Sequence, residues 1–300
     1  MCLIAFALNS SPRWPLVIAA NRDESYDRPA LPLATWQSEK GTTIVSGRDM
    51  RAGGTWLGST PGGRVAFLTN VRETPAAKQA APRSRGELVM RWLDGEMDAE
   101  GFMAQTDSAS YSGFNLVTGN WQTGQWTWLS NRFFADDSPL PQRPDGAGWC
   151  QRRLGPGVYG LSNAALDTPW PKTVALKAAL SQAVLLQTEG DLEAPLWGVL
   201  SSRKRSAASD LQDLCVPPDM EPALSSAFVD LPERAYGTRC TTIAVASLDA
   251  GSAGQQRWTL NIGEKTHRPA SVPALPDGSF DNSGRETVRQ LVHWAQATNA

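Results

Sequence analysis

Short apolar runs broken by turn residues dominate the first 70 positions. Cys2 to Asn9, Leu16 to Ala20, Thr43 to Ser46, Thr55 to Ser59 and Arg64 to Thr69 have the length and bounding residues of strands. Pro61-Gly62-Gly63 closes the clearest hairpin among them. The period then changes. Ser84 and Glu87 have capping-box spacing, and Leu88, Val89, Trp92 and Leu93 share one helical face, so a helix is predicted over about 85–94. A second hairpin, Phe114 to Thr118 with Gln125 to Leu129, carries Trp121, Trp126 and Trp128 on its flanks.

Val158 to Ser162 reads as another short strand. Lys172 to Gln187 places Val174, Leu176, Ala179, Leu180, Ala183 and Val184 at helical spacing, and a further helix is predicted near Ala194 to Leu200. Ser201 to Pro232, with Arg203-Lys204-Arg205 and Pro217-Pro218, reads as a long surface excursion with little regular structure and the greatest mobility. Strands return at Thr241 to Leu248 and Arg257 to Ile262, and a closing helix is predicted from Arg285 to about Gln296. No repeat or linker divides the chain, so one α+β domain over 1–300 with layered sheets is expected.

Composition narrows the partners. The chain has 300 residues, 41% hydrophobic and 19% charged, ordinary values for a globular protein and not for a disordered or coiled-coil one. With 28 basic and 30 acidic residues the net charge is −2, which argues against a nucleic-acid partner. No apolar stretch approaches the ~18 residues of a membrane span. The first apolar run lacks a preceding basic segment, so a cytoplasmic chain is expected. Cys2, Cys150, Cys215 and Cys240 show no paired spacing and are expected to be thiols. His267 and His293 are the only histidines, which disfavours both a histidine-built zinc site and a Ser-His-Asp triad.

Cys2 is the first chemical candidate. Methionine before a small residue is normally trimmed, which would leave Cys2 with a thiol and a free α-amine on one residue. An α-amine with a reference pKa near ~7.7–8.0 can take the thiol proton without any histidine. The alternative is a small buried hydrophobe that opens a strand. Asn21-Arg22-Asp23-Glu24 lies at the exit of the second apolar strand. If the first two strands pair, Asp23 can bind the α-ammonium and Arg22 can stabilise the thiolate. Gly155 to Gly160 fits G-x-G-x-x-G but opens a strand, which removes the nucleotide reading. Gly53-Gly54-Thr55-Trp56 reads as a tight strand entry.

The ordered blocks Met1-Cys2, Asn21 to Glu24, Gly53 to Gly58, Thr69 to Arg72, Tyr159 to Asn163, Leu166 to Lys172 and Tyr236 to Thr242 carry a resemblance over nearly the whole length. The sequence resembles the NRDE family, also called the Transport and Golgi Organization protein 2 homologs. That resemblance implies kinship with N-terminal nucleophile hydrolases and a four-layer αββα sandwich of two mainly antiparallel sheets. Their cysteine branch, which includes penicillin V acylases and bile salt hydrolases, implies a catalytic set at Cys2, Arg22, Asp23, Asn163 and Arg239. Asn163 would donate to an oxyanion and Arg239 would bind an anionic group; a turn residue and a surface cation are the respective alternatives. In that branch the Arg and Asp are separated by two residues, whereas here they are adjacent, so one of them is expected to face away, with Asn21 as the alternative inward neighbour. Asn21, Asn70 and Arg72 are the substrate-binding candidates.

Two functions follow from the resemblance. One is a cysteine amidohydrolase acting on an acyl amide or related acyl substrate, with no cofactor required. The other is a non-catalytic carrier of haem, acyl-CoA or lipid on the same fold, with haem as cargo.

Overall fold

The structure, a computed structural model, describes residues 2–73, 83–121, 123–133, 142, 148–186, 188–207, 211, 216–217, 219–250, 256–267 and 287–294. Numbered along the chain, its first strands are β1 (Cys2–Leu8), β2 (Leu16–Ser25), β3 (Ala30–Gln37), β4 (Thr43–Asp49), β5 (Leu57–Ser59), β6 (Arg64–Asn70) and β7 (Phe114–Asn120). The others are β8 (Gln125–Ser130), β9 (Cys150–Arg153), β10 (Gly157–Leu161), β11 (Asp230–Leu231), β12 (Tyr236–Ala250), β13 (Gln256–Thr266) and β14 (Thr287–Trp294). The helices are α1 (Gly86–Leu93), α2 (Ala99–Ala104), α3 (Pro171–Ala183), α4 (Glu189–Leu200) and α5 (Glu221–Leu224).

Among the described residues these strands form two antiparallel sheets of seven. The first runs β10-β1-β2-β12-β13-β14 with β11 on β12, and the second follows chain order from β3 to β9. Alternation along β1 explains the layering. Ile4, Phe6 and Leu8 face the second sheet, while Leu3, Ala5 and Ala7 face the helices, so both faces are apolar and the sequence shows one unbroken run. Phe6 packs on Phe67 of the second sheet at 5.0 Å and on Tyr159 at 5.2 Å between ring centroids. Its complete burial contributes about 1.5–3 kcal/mol.

Leu176 and Leu180 of α3 and Leu192, Leu196 and Leu200 of α4 cover the outer face of the first sheet. Leu88, Val89, Trp92 and Leu93 of α1, with Phe102 of α2, cover the outer face of the second. The four-layer αββα sandwich expected from the sequence is therefore present.

Several local expectations change. The Ser84–Glu87 capping box does not form, because α1 starts after Arg85 without a side-chain cap and Glu87 pairs with Arg83 instead. Asn21 to Glu24 lie inside β2, which pairing with β1 and β12 extends to Ser25. The predicted C-terminal helix is β14: Val288 and Val292 turn into the inter-sheet core while Leu291 stays exposed, a two-residue period imposed by pairing with β13. Ser201 to Pro232 is no bare excursion, since it holds α5 and buries Ala223, Leu224, Val229 and Leu231 in a cluster of their own. Cys215 and the tail beyond Trp294 lie outside the described residues.

Candidate active site

Antiparallel registers put three side chains in one row. Cys2 pairs with Arg22 and Arg22 with Cys240, so all three point from the first sheet toward the second. A bulge at Arg239 separates the Thr238 and Cys240 pairs of β12. Asn21 and Asp23, one position off the row, face the helix layer. Adjacency of Arg22 and Asp23 thus sends them to opposite faces of β2.

The row opens on a cavity of about 380 Å³ between the sheets. Cys2, Arg22, Asp23, Asn70, Arg239, Cys240 and Glu264 all contribute to its lining. The β2–β3 loop and the starts of β3 and α1 complete it, with Arg28, Arg85 and Trp56 at its wall. Gly54 brings α1 to that wall: a Cβ there would sit 2.6 Å from the Gly86 carbonyl carbon, so the two backbones touch.

Charge inside the cavity is partly braced. Arg28 bonds Asp49 at 2.6 Å and lies 3.8 Å from Glu24, which also stands 3.5 Å from Arg22. The Arg239 guanidinium donates to the backbone carbonyls of Ser25, Tyr26 and Arg28 at 2.7–3.2 Å. Arg85 donates to the Gly113 carbonyl at 3.1 Å. Burial holds the guanidinium of Arg85 below its ordinary range, opposed by Glu24 and Cys2.

Burial pushes the Cys2 thiol up, Asp23 adds to that rise, and Arg22 opposes it. The resting sulfur is therefore a thiol that needs a base. Burial also pushes Asp23 up, against Lys172, Thr238 and Arg22. Its Oδ1 accepts from Thr238 at 2.7 Å.

The other expected residues divide. Asn163 is fully buried and outside the lining, yet its amide donates to the Asn70 carbonyl at 2.8 Å. Its neighbour Ser162 donates to the Cys2 carbonyl at 2.9 Å, and extending the Ile4–Leu161 register by two positions sets Asn163 opposite Cys2. Asn163 is thus one hydrogen bond behind the cavity. Asn21 is not brought to it. Its amide donates to the Leu200 and Ala227 carbonyls and accepts from Thr241, which ties β2 to the helix layer. Arg72 is also elsewhere, paired with Glu221 at 2.8 Å and stacked on Trp170 at 4.7 Å.

The sequence model of the Transport and Golgi organisation 2 family matches residues 1–252. The chain belongs to that family. It is 32% identical over 278 residues to the Bos taurus Transport and Golgi organization protein 2 homolog, covering 87% of this chain and 94% of the relative. Identity to the Homo sapiens homolog is 32% over 269 residues, covering 83% and 90%. Among solved structures, a Caenorhabditis elegans N-acylethanolamine-hydrolyzing acid amidase ortholog is similar over 81% of this chain and 92% of its own, at 12% identity and a TM-score of 0.42.

In this Transport and Golgi organisation 2 family member, four groups around Cys2 escape sequence reasoning. Arg85 precedes a helix whose start gives no sign of reaching a cavity. Cys240 has no paired spacing to mark it, although the strand register carries it into the same row. Glu264 is a buried carboxyl that accepts from the Leu33 N–H at 2.8 Å and from Thr242 at 3.2 Å, bridging the sheets. Lys172 ends the Leu166 to Lys172 block, a signal that is visible in the sequence but carries no role there.

Proposed function

We propose that the protein is a cysteine amidohydrolase of the N-terminal nucleophile type, acting on an acyl amide or related acyl substrate. The observation that carries this reading is the Cys2 thiol lining a cavity, with Arg22 beside it in register and Asp23 one position on. After Met1 removal the α-amine of Cys2 takes the thiol proton. Sγ then bonds the substrate carbonyl carbon, and the oxyanion that forms is held by hydrogen-bond donors at the cavity wall. Asn70 is the better placed of the two asparagines because it lines the cavity, and Asn163 bonds its backbone carbonyl. The α-ammonium returns the proton to the leaving amine as the C–N bond breaks. Water cleaves the resulting thioester, losing a proton to the α-amine, and restores the thiol.

A second reading is a carrier of haem, acyl-CoA or lipid. It is favoured by the cationic lining, to which Arg22, Arg28, Arg48, Arg85 and Arg239 contribute. Guanidinium groups suit a carboxylate or phosphate. Haem would then be cargo, and neither reading requires a resident cofactor.

The test begins with intact mass, which reads Met1 removal, followed by a panel of N-acyl amides and thioesters. Turnover lost in Cys2→Ala with ligand binding retained supports the hydrolase. Retained Met1 removes its base. A wild-type protein that turns over nothing in the panel but binds haem or acyl-CoA in a manner weakened by Arg22→Ala or Arg239→Ala leaves the carrier reading alone.

A further inference from the structure

Asp23 points away from the cavity row into the helix layer, among groups that take no part in the thiol chemistry. A single segment roofs it. The Val229 N–H donates to Thr238 Oγ1 at 2.9 Å, and that hydroxyl donates to Asp23 Oδ1 at 2.7 Å. Five residues earlier in the same segment, the Leu224 carbonyl accepts from Lys172 Nζ at 2.7 Å. Lys172 is 6% exposed and sits in the first turn of α3, the helix packed on β1. An ammonium buried this far from water survives only beside compensating groups.

The charges facing Lys172 are Asp23 from β2, Glu221 from α5, Arg72 from the end of β6 and the Cys2 thiol from β1. Those facing Asp23 are Lys172 and Arg22, with the Tyr236 hydroxyl donating to its backbone carbonyl at 3.1 Å. Glu221 is also bound by Arg72, and among the described residues Asp23 is the acid that supports the Lys172 charge most strongly. The β1–β2 register sets Asp23 one step past Arg22, at the level of the Cys2 nitrogen.

We propose that Lys172 is a positioning residue of the Cys2 site, a buried ammonium held by the Leu224 carbonyl that keeps Asp23 a carboxylate so that Asp23 can hold the α-amine of Cys2. This rests on the reading of Cys2 as an N-terminal nucleophile. It also gives the Leu166 to Lys172 block a role, because Pro171 starts α3 and sets Lys172 in its first turn, with the ammonium on the Leu224 carbonyl. Burial brings Lys172 down to about 8, with Asp23 resisting the fall, so the support is present at neutral pH and fades above that value.

The test reads the Cys2 alkylation rate by iodoacetamide against pH in the full-length protein after Met1 removal has been verified by mass. No substrate is needed, so failure of the hydrolase reading, which is absence of turnover, is a separate result. Ionisation of Asp23 acts on the thiol and marks the lower-pH inflection of the profile. In Lys172→Met that inflection should rise by about one pH unit, the scale of a lost neighbouring opposite charge. Lys172→Arg should restore it. In an Asp23→Asn background, Lys172→Met should add nothing. An unmoved inflection in Lys172→Met, or an equal change with Asp23 already removed, overturns the proposal. If Lys172→Met fails to fold, the coupling is read from the other side by NMR titration of the Lys172 Cε resonance. By reciprocity Asp23→Asn should then lower the Lys172 midpoint, and an unchanged midpoint refutes the pairing.

Discussion

Gly54→Ala should damage the cavity, whereas Gly53→Ala should cost stability alone. A Cβ at position 54 would lie 2.6 Å from the carbonyl carbon and 2.7 Å from the carbonyl oxygen of Gly86. Both are backbone atoms, so no side chain can swing clear and the start of α1 must retreat from the β4–β5 connection. Overpacking of that kind costs about 1–3 kcal/mol. Gly53 has φ +72° with nothing within 4 Å of its added Cβ, so alanine there meets only left-handed strain of about 1–2 kcal/mol. The two variants are thus matched in stability cost and differ in what moves. Because Arg85 and Gly86 line the cavity, Gly54→Ala should change the Cys2 alkylation rate several-fold at neutral pH, and Gly53→Ala should leave it near wild type. Urea denaturation measures the stabilities. Equal alkylation rates in the two variants, at equal stability loss, would refute the claim that the Gly54–Gly86 contact sets the cavity wall.

Glu264→Gln should flatten the pH dependence of stability. Burial holds the Glu264 carboxyl above its ordinary value, so the folded state binds this proton more tightly than the unfolded one, and stability falls as pH rises from about 4.5 through the folded value. The variant should lose that slope, read from thermal melts across the acidic range. Arg72→Met should destabilise the fold by about 3–5 kcal/mol, because it strands Glu221 in a buried pair, and should leave cavity ligand binding unchanged by calorimetry in the surviving folded protein. Cys2 should be alkylated faster than Cys240 near pH 7. Both line the cavity, and burial pushes both thiols up with Arg22 opposing the rise, but Cys240 is pushed well above its ordinary value with Glu264 adding to it, and a processed α-amine assists Cys2 alone. Mass mapping of the first labelled peptide decides the order.

The strand-first pattern was legible because both faces of β1 and β2 are buried, and an apolar run that short, bounded by turn residues, fits a doubly covered strand better than an amphipathic helix. α1 was legible for the converse reason: one covered face leaves a clear helical period. β14 was misread because Val288, Leu291 and Val292 stand at the i, i+3, i+4 spacing of a helix, and only the edge of β13 selects the strand that leaves Leu291 exposed. The site was legible as far as short-range pattern reached. Arg22 beside Cys2 follows from pairing the first two strands. Asn21 was misplaced because nothing local states which face of β2 meets the helices; that depends on Leu200 and Ala227, about two hundred positions away. Lys172, Arg85 and Glu264 required the layers themselves, since their meaning lies in burial beside groups from other elements.

The bulge that lets Arg239 depart from the β12 ladder has a bearing on how this scaffold can diversify. Its guanidinium reads carbonyl oxygens at Ser25, Tyr26 and Arg28, and every residue type presents the same oxygen. The turn between the two sheets is therefore held by a grip that is blind to side-chain identity. Substitutions at Arg28, which lines the cavity, can alter its chemistry while Arg239 keeps its hold on the main chain. Architecture and selectivity are thereby separated within a single short loop, which leaves lineages room to change what enters without rebuilding what surrounds it.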